Sequence, residues 1–203
     1  MNLLEKMNLE KILLIVGMII FSLLAILIVT NNIKWFDDAL YKLVSCLKCD
    51  FCTILFNGIT FLCSTEFILV FVLLMLIFSK KHGKNFTVDI IGCVLMNQLL
   101  KHIFVRTRPV GIGLISESGY SFPSGHSMAA VAFYGFFIYL ILNSKLDKYK
   151  KIVFSSLLLL LILLVGVSRI YLGVHYASDV LAGFSIATVY LILFNWIYKR
   201  KKS

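Results

Sequence analysis

Residues 152–167, with the sequence IVFSSLLLLLILLVGV, decide the class of fold because no charged residue or proline interrupts them. A helix that crosses a bilayer needs about 20 mostly apolar residues, and the apolar stretch is nearly that long. Five further stretches have the same character, and the chain is therefore predicted to form six spans, at residues 12–30, about 67–78 with a backward extension through Phe61, 86–104, 127–142, 152–167 and 180–198.

The composition of the 203-residue chain supports this interpretation. Hydrophobic residues make up 60% and charged residues 15%, with a mean hydropathy of +0.94, whereas soluble domains are about 45–50% apolar and about 25% charged. These values exclude an ordinary soluble globule, a disordered chain, a collagen-like fibre and a disulfide scaffold. We expect an all-α polytopic membrane protein, a six-helix bundle formed by one domain over residues 1–203.

The first apolar stretch is predicted to be a retained span. It exceeds the roughly 7–15 residues of a signal-peptide core, and no small-x-small cleavage site follows it. Residues 31–63 are less apolar, and they are predicted to form an amphipathic helical segment in the outer interface. Their apolar positions recur near helical spacing at Trp35, Phe36, Leu40, Leu43, Val44 and Leu47.

The charge of the chain predicts its orientation. The net charge is +10, from 20 Lys and Arg against 10 Asp and Glu. In a soluble protein this would indicate nucleic-acid binding, but cytoplasmic loops of membrane proteins also accumulate Lys and Arg, so no nucleic-acid partner is expected. Six spans place 13 basic residues on the side of the termini: Lys6, Lys11, Lys80, Lys81, Lys84, Lys145, Lys148, Lys150, Lys151, Lys199, Arg200, Lys201 and Lys202.

This distribution predicts a plasma-membrane protein with both termini in the cytoplasm and segments 31–64, 105–124 and 168–179 outside. Three of the five cysteines, Cys46, Cys49 and Cys52, have cluster-like spacing in the first of these segments. A tetrahedral zinc or iron–sulfur site needs four ligands, and no fourth ligand is evident. We therefore expect no metal site there, while an external disulfide would leave at least one thiol free.

Polar residues concentrate in three short stretches at predicted outer span ends, where ionisable groups are functional candidates because charge is costly in a bilayer. They are Lys101-HIFVRT-Arg108-Pro109, Pro123-Ser124-Gly125-His126, and Ser168-Arg169-IYLGV-His175-YAS-Asp179. All three lie on the same predicted side of the membrane. We expect them to form a single site.

Five residues of these stretches are predicted to bind a phosphate group. Lys101 and Arg108 are two helical turns apart, so they share a face if the third span continues that far. Arginine offers a planar fork of donors that matches phosphate oxygens, and Arg169 adds a third cation. Ser124 and Gly125 precede the fourth span, where free backbone N–H groups and the helix N-terminus favour an anion.

His175, Asp179 and His126 are the predicted catalytic residues. His175 and Asp179 are four residues apart, so a helix would make them neighbours, and the carboxylate would fix the tautomer of the ring. His175 could then attack phosphorus, with His126 as the general acid. Only Asp179 and Glu117 are expected near the site as carboxylates, so we expect neither a metal ion nor a cofactor.

Three nearby residues are assigned lesser roles. His102 and Arg106 fall off the predicted face of Lys101 and Arg108, so both are expected to be interfacial. Asn97 lies one turn before Lys101 and is a candidate supporting residue.

The three stretches together resemble the membrane branch of the type 2 phosphatidic acid phosphatase superfamily, which also includes soluble bacterial acid phosphatases and vanadium haloperoxidases. The family motifs K-x6-R-P, P-S-G-H and S-R-x5-H-x3-D match in order over residues 101–179. The resemblance implies that His175 forms a phosphohistidine, Asp179 orients it and His126 protonates the leaving group. It also implies that the five residues named above, with His126, hold the phosphate while water hydrolyses the intermediate.

The resemblance also implies a substrate class, together with membrane lipids as the surroundings of the chain. Bacterial members of this size often hydrolyse undecaprenyl diphosphate to undecaprenyl phosphate, and this is the predicted activity. Others act on phosphatidylglycerol phosphate or phosphatidate, and phosphotransfer to another hydroxyl is an enzymatic alternative. A small transporter or lipid-binding protein is the non-enzymatic alternative, although a transporter tends to carry its charges near the midplane.

Overall fold

The computed structural model describes residues 3–200, with side chains for residues 8–80 and 82–197. In that part of the chain all regular structure is helical. The helices are α1 (Leu3–Val29), α2 (Lys34–Ser45), α3 (Asp50–Phe61), α4 (Thr65–Phe78), α5 (Lys80–Phe104), α6 (Gly125–Leu142), α7 (Lys148–Tyr171) and α8 (Ala177–Arg200). Lys201 and Lys202, which enter the orientation argument, lie outside the described residues, as do the side chains of Lys6, Lys81, Lys199 and Arg200.

Within the described residues, five helices are long and apolar enough to cross a membrane: α1, α5, α6, α7 and α8. A sixth span results if α3 and α4, which meet at a 41° bend, are taken as one broken span. The all-α, multi-pass fold is therefore confirmed. The predicted second span is corrected, because it does not run straight back through Phe61. The side chain of Ser64 caps α4 by accepting a hydrogen bond from the Phe67 N–H at 3.2 Å, and this cap begins a new helix.

The predicted interfacial segment is also corrected, because it forms two helices rather than one, although both contact α7. Helix α2 lies across the ends of α7 and α8, where Phe36, Leu40 and Val44 pack against Ile170 and Val180. Helix α3 also packs against α7. The two halves are therefore separate elements, and only α2 keeps the amphipathic character that was predicted for the whole segment.

Contacts between aromatic rings pack α4, α5 and α6 against one another. Phe71 and Phe86 pack against Phe133 and Phe137, with ring centroids 5.0–5.5 Å apart. Pairs of this kind add about 0.5–1.5 kcal/mol each beyond the burial of their area. The cluster lies toward the α4–α5 turn, away from the end of α5 that carries Lys101. Its packing fixes the three helices relative to one another and so supports the end of the bundle where Lys101 lies.

The three polar stretches that were predicted to lie on one side of the membrane meet at one end of the bundle. The Leu114 N–H donates to the Leu172 carbonyl at 2.8 Å, and the Ser124 N–H donates to the Asp179 carbonyl at 3.1 Å. Segment 105–124 is thereby tied to the end of α7 and the start of α8. The motif residues of α5, α6, α7 and α8 consequently lie close together.

Candidate active site

Helix α5 presents Lys101 at its last turn and then stops. Val105 adopts a left-handed conformation with φ of 49°, and its N–H closes the helix on the Lys101 carbonyl at 3.0 Å. The condition for a shared helical face, that the third span continues as far as Arg108, is therefore not met. Arg108 instead lies in the loop after α5, yet it reaches the same cavity as Lys101.

Loop carbonyls hold the Arg108 guanidinium in place. Nε donates to the Gly119 carbonyl at 3.1 Å, Nη2 to that of Ser118 at 3.0 Å, and Nη1 to that of Val174 at 2.9 Å. Nη1 also lies 3.1 Å from Nε2 of His175. Arg108 is therefore fixed directly beside the predicted nucleophile.

Arg169 is completely buried in the last turn of α7. Its Nη2 donates to Oε1 of Glu117 at 2.5 Å, and its Nε and Nη1 have no hydrogen-bond partner. Unpaired buried donors are costly, so the guanidinium is suited to receive an anion. Burial raises the pKa of Glu117, but Arg169, with smaller contributions from His126 and Arg108, outweighs this and the pKa lies below its ordinary value.

The segment before α6 is held by Asn97, as expected for a supporting residue. Its Nδ2 donates to the Pro123 carbonyl at 3.1 Å, and a Cβ added to Gly125 would lie 3.2 Å from its Oδ1. Ser124 is the N-cap of α6, where its Oγ accepts from the N–H and the hydroxyl of Ser127 at 3.4 and 3.0 Å. Gly125 thus permits a close approach that a side chain would disturb.

His175 and Asp179 meet as predicted, but not on one helix, because α8 begins only at Ala177. Nδ1 of His175 lies 3.5 Å from Oδ2 of Asp179, and both side chains are buried. The same Oδ2 accepts from the Ser121 hydroxyl at 2.5 Å and from the Tyr176 N–H at 2.9 Å. The carboxylate is therefore fixed from three directions.

The neighbours of His175 define its tautomer. A guanidinium can only donate hydrogen bonds, so Arg108 requires a lone pair on Nε2, and the ring proton then lies on Nδ1 toward Asp179. Burial lowers the pKa of His175 to about 4, so the ring is neutral at pH 7. An imidazole with an unprotonated Nε2 beside fixed cations can act as a nucleophile toward phosphorus once the hydrogen bond from Arg108 passes to the phosphate.

Both histidines line one cavity of about 650 Å³, together with Lys101, Arg108 and Glu117. The cavity continues as an apolar groove between α4 and α5, past Leu69 and Val94. Leu69 and Val94 are 57% and 49% exposed, so the groove opens on the apolar outer surface of the bundle. The site therefore has a polar end, where the two histidines lie, and an apolar opening between α4 and α5.

Sequence reasoning missed the role of Arg106, and the prediction that this residue is interfacial is wrong. Its guanidinium bonds the buried carboxylates of Asp179 at 2.6 Å and Asp37 at 2.7 Å, and the hydroxyl of Ser178 at 2.8 Å. A carboxylate at position 37, on the same face as the apolar residues of an amphipathic helix, was the signal that could have revealed this contact. Ser121, which bonds Asp179, carried no such signal.

Two of the five cysteines, Cys63 and Cys93, line the cavity that holds the two histidines, whereas Cys46, Cys49 and Cys52 are not among its lining residues. Cys46 and Cys49 are exposed, Cys52 is half-buried, and Cys63 and Cys93 are buried. Over residues 3–200, no group of three or more His, Cys, Asp or Glu is placed to hold a metal ion. The Sγ of Cys49 caps α3 by accepting from the Cys52 N–H at 3.3 Å.

Comparisons with known proteins identify the family of the chain. Residues 84–203 match the PAP2 superfamily. The chain is 34% identical to phosphatidylglycerophosphatase B of Bacillus subtilis (strain 168) over 180 residues, which are 85% of this chain and 88% of that protein. It is 35% identical to dolichyldiphosphatase of Saccharomyces cerevisiae over 106 residues, which are 47% of this chain and 43% of that protein.

A solved structure has the same fold. It is the crystal structure of a transmembrane PAP2-type phosphatidylglycerolphosphate phosphatase from Bacillus subtilis, with a TM-score of 0.84 and 30% sequence identity over 92% of this chain and 96% of that one. The family match covers more than half of the chain, and the multi-pass helical fold agrees with it. The chain therefore belongs to the PAP2 superfamily, among its membrane lipid phosphatases.

Proposed function

We propose that the protein removes the terminal phosphate of a membrane lipid through a covalent intermediate on His175. The observation that carries this proposal is the orientation of the imidazole, with Nδ1 toward Asp179 and Nε2 toward Arg108 and the cavity. Nε2 attacks phosphorus, and the bond between phosphorus and the lipid oxygen breaks. His126 gives a proton to that oxygen, and the lipid leaves.

The second half of the reaction restores the enzyme. His126, now unprotonated, takes a proton from water as the hydroxide attacks the phosphohistidine. The bond between phosphorus and Nε2 breaks, and inorganic phosphate leaves. Lys101, Arg108 and Arg169 supply positive charge to the phosphoryl oxygens, and the N-terminus of α6 at Ser124 and Gly125 adds partial positive charge.

Two lipid classes are candidates for the substrate, and the apolar groove beside the phosphate site supports a lipid in either case. Undecaprenyl diphosphate is the first, because three cations suit the charges of a diphosphate and because a similar yeast protein is named dolichyldiphosphatase. Phosphatidylglycerol phosphate is the second, because the similar bacterial protein is named phosphatidylglycerophosphatase B. The phosphate-binding residues do not contact the tail, so the choice between them rests on turnover.

A substrate panel tests the proposal. The purified chain is supplied with undecaprenyl diphosphate, phosphatidylglycerol phosphate or phosphatidate, with EDTA and no added divalent metal, and kcat/KM ranks the three lipids. We expect phosphate release with wild type and none with His175→Ala. Activity that His175→Ala retains in full would overturn the proposed nucleophile. A labelled phosphate that appears on a second lipid, rather than in solution, would show transfer instead of hydrolysis.

We also propose that both termini are cytoplasmic and that the site opens at the outer face of the plasma membrane. The basic residues near the termini and at or just before the starts of α5 and α7 support this orientation. Cys49 offers a test, because it is exposed and its N–H lies 3.3 Å from the Tyr171 hydroxyl at the motif end of α7. An impermeant maleimide applied to intact cells should label wild type more than Cys49→Ser, and equal labelling would contradict the orientation.

A further inference from the structure

A second pair of charged residues, Arg106 and Asp37, lies next to the catalytic pair of His175 and Asp179. Asp179 directs Oδ2 toward His175 and Oδ1 toward Nη1 of Arg106, at 3.5 and 2.6 Å. Nη2 of Arg106 in turn bonds Oδ2 of Asp37 at 2.7 Å. The order of contacts is thus imidazole, carboxylate, guanidinium, carboxylate, and it ends on α2, an element outside the three motifs.

The packing of this network fixes its geometry. Asp37 is 2% exposed, and its two oxygens accept from the N–H and the hydroxyl of Ser178 at 2.8 and 2.9 Å. The guanidinium carbon of Arg106 lies 4.1 Å from the ring centroid of Tyr176. Each member therefore has several partners, which is the condition under which a buried ionic network is rigid.

We infer that Arg106 and Asp37 are positioning residues that fix Asp179 and thereby adjust the basicity of His175. The inference rests on the proposed function of His175 as nucleophile. Arg106 balances the charge of Asp179, and Asp37 balances the charge of Arg106, so each acts on the imidazole through its neighbour. Helix α2 is consequently a functional part of the site and holds it from the side opposite the substrate.

The charges give the two positions opposite effects on His175. Loss of the Arg106 charge leaves Asp179 uncompensated, which stabilises the imidazolium and raises the pKa of His175. Loss of the Asp37 charge leaves Arg106 with less compensation, which disfavours the imidazolium and lowers that pKa. A purely structural role would give both substitutions the same sign.

Substitution of Arg106 or Asp37 leaves in place the other charged or titratable residues around His175 and Asp179. They are Lys101 on α5, Arg108 and Glu117 in the loop, His126 on α6, Arg169 on α7, Asp38 on α2 and Tyr176 before α8. Any change in the pH profile is therefore assignable to the substituted residue. Asp38 is exposed beside Asp37, so Asp38→Asn is a matched control for the loss of one carboxylate from α2.

The experiment measures kcat/KM against pH for the full chain in lipid nanodiscs, with the best lipid of the panel. We expect Arg106→Gln to move the acid limb upward by about one pH unit, the lower end of the effect of a close charge, and to lower kcat. Arg106→Lys should restore the limb and only part of kcat. Asp37→Asn should lower kcat without an upward shift, and Asp38→Asn should match wild type.

The outcomes separate this inference from the proposed function. Inactive His175→Ala together with an unshifted Arg106→Gln profile would overturn the inference alone, as would upward shifts in both Arg106→Gln and Asp37→Asn. Active His175→Ala would overturn the proposed nucleophile itself. If Arg106→Gln fails to fold, Arg106→Gln/Asp37→Asn, which leaves no unpaired carboxylate at position 37, provides the comparison. Its acid limb should move upward because Asp179 still loses its contact with Arg106, whereas that of Asp37→Asn should not, and equal displacement of the two would overturn the inference.

Discussion

Oε1 of Glu117 lies 2.5 Å from Nη2 of Arg169, so a carboxylate of the protein contacts a cation that is proposed to bind the substrate phosphate. Oε2 of the same residue lies 3.9 Å from Nη2 of Arg108. Arg169 balances the pKa effect of burial on Glu117, which keeps the carboxylate ionised at neutral pH. A phosphate that enters the site must therefore displace Glu117 or share Arg169 with it.

Substitution of Glu117 tests this competition. Glu117→Gln removes the competing charge, so we expect tighter binding of orthovanadate, which mimics five-coordinate phosphorus. A hydrogen bond to a charged group is worth about 1.5–3 kcal/mol, which corresponds to a decrease in Ki of about tenfold or more. The measurement is inhibition of phosphate release, with the exposed Glu66→Gln as the control. An unchanged Ki would show that Glu117 does not compete.

The pH dependence of the wild type follows from the burial of His175. Because burial lowers the pKa of this imidazole to about 4, the nucleophile is neutral above that pH and protonated below it. We expect the acid limb of kcat/KM, which reports protonation of His175, to lie near pH 4, while loss of the proton that His126 gives to the leaving group lowers kcat/KM as the pH rises. The second ionisation of the substrate phosphate, near pH 6, also changes kcat/KM. Its pKa is measured by 31P NMR, and its effect is removed from the profile before the ionisations of the enzyme are assigned. An acid limb near pH 6.5 would contradict the prediction.

Much of the fold could be predicted from the sequence because apolar length is a direct consequence of the bilayer. Residues 86–104 and 180–198 were predicted within a few residues of α5 and α8 at the motif ends. The break between α3 and α4 could not be predicted in the same way. Apolar residues at 61–63 and 67–78 flank the short polar run Ser64-Thr65-Glu66, and the capping serine decides where the new helix begins.

The site was predictable as a set of residues but not as a geometry. The spacing of Lys101 and Arg108 fits one helical face, yet the left-handed Val105 ends the helix between them. A β-branched residue in that conformation is rare, so no pattern indicates it. The contact between Arg106 and Asp37 joins positions far apart in the chain, and the sequence shows only two separate charges.

The apolar groove predicts a substitution that separates lipid from soluble substrates. Ala129 on α6 lines the groove and is half-buried, so Ala129→Phe should fill the tail path and leave the phosphate site open. We expect kcat/KM for the lipid to fall about tenfold or more, while turnover of a short-chain phosphate stays within about twofold, since loss of tail binding is the only change. Val88→Phe, on the exposed face of α5, is the control. Equal losses on both substrates would contradict a tail groove.

Helix α8 approaches the start of α6 so closely that any side chain at position 183 would make unusually tight contacts. A Cβ there would lie 3.0 Å from the Ser124 carbonyl oxygen and 3.0 Å from Cβ of Ser127. Gly183→Ala should therefore displace the phosphate-binding segment by a few tenths of an ångström. We expect kcat to fall by up to about tenfold, since a 1 Å displacement can cost about 100-fold, and the stability to fall by about 1–3 kcal/mol through overpacking.

Gly58 on α3 provides the matched control for this last prediction, because a Cβ at that position meets nothing within 4 Å. Gly58→Ala should gain up to about 1 kcal/mol from helix propensity alone and leave kcat unchanged. Thermal unfolding in detergent and phosphate release measure the two effects on the same preparations. If Gly183→Ala also gained stability and kept full activity, the contact between α8 and the start of α6 would be able to relax, and close packing would not explain the position of the phosphate-binding segment.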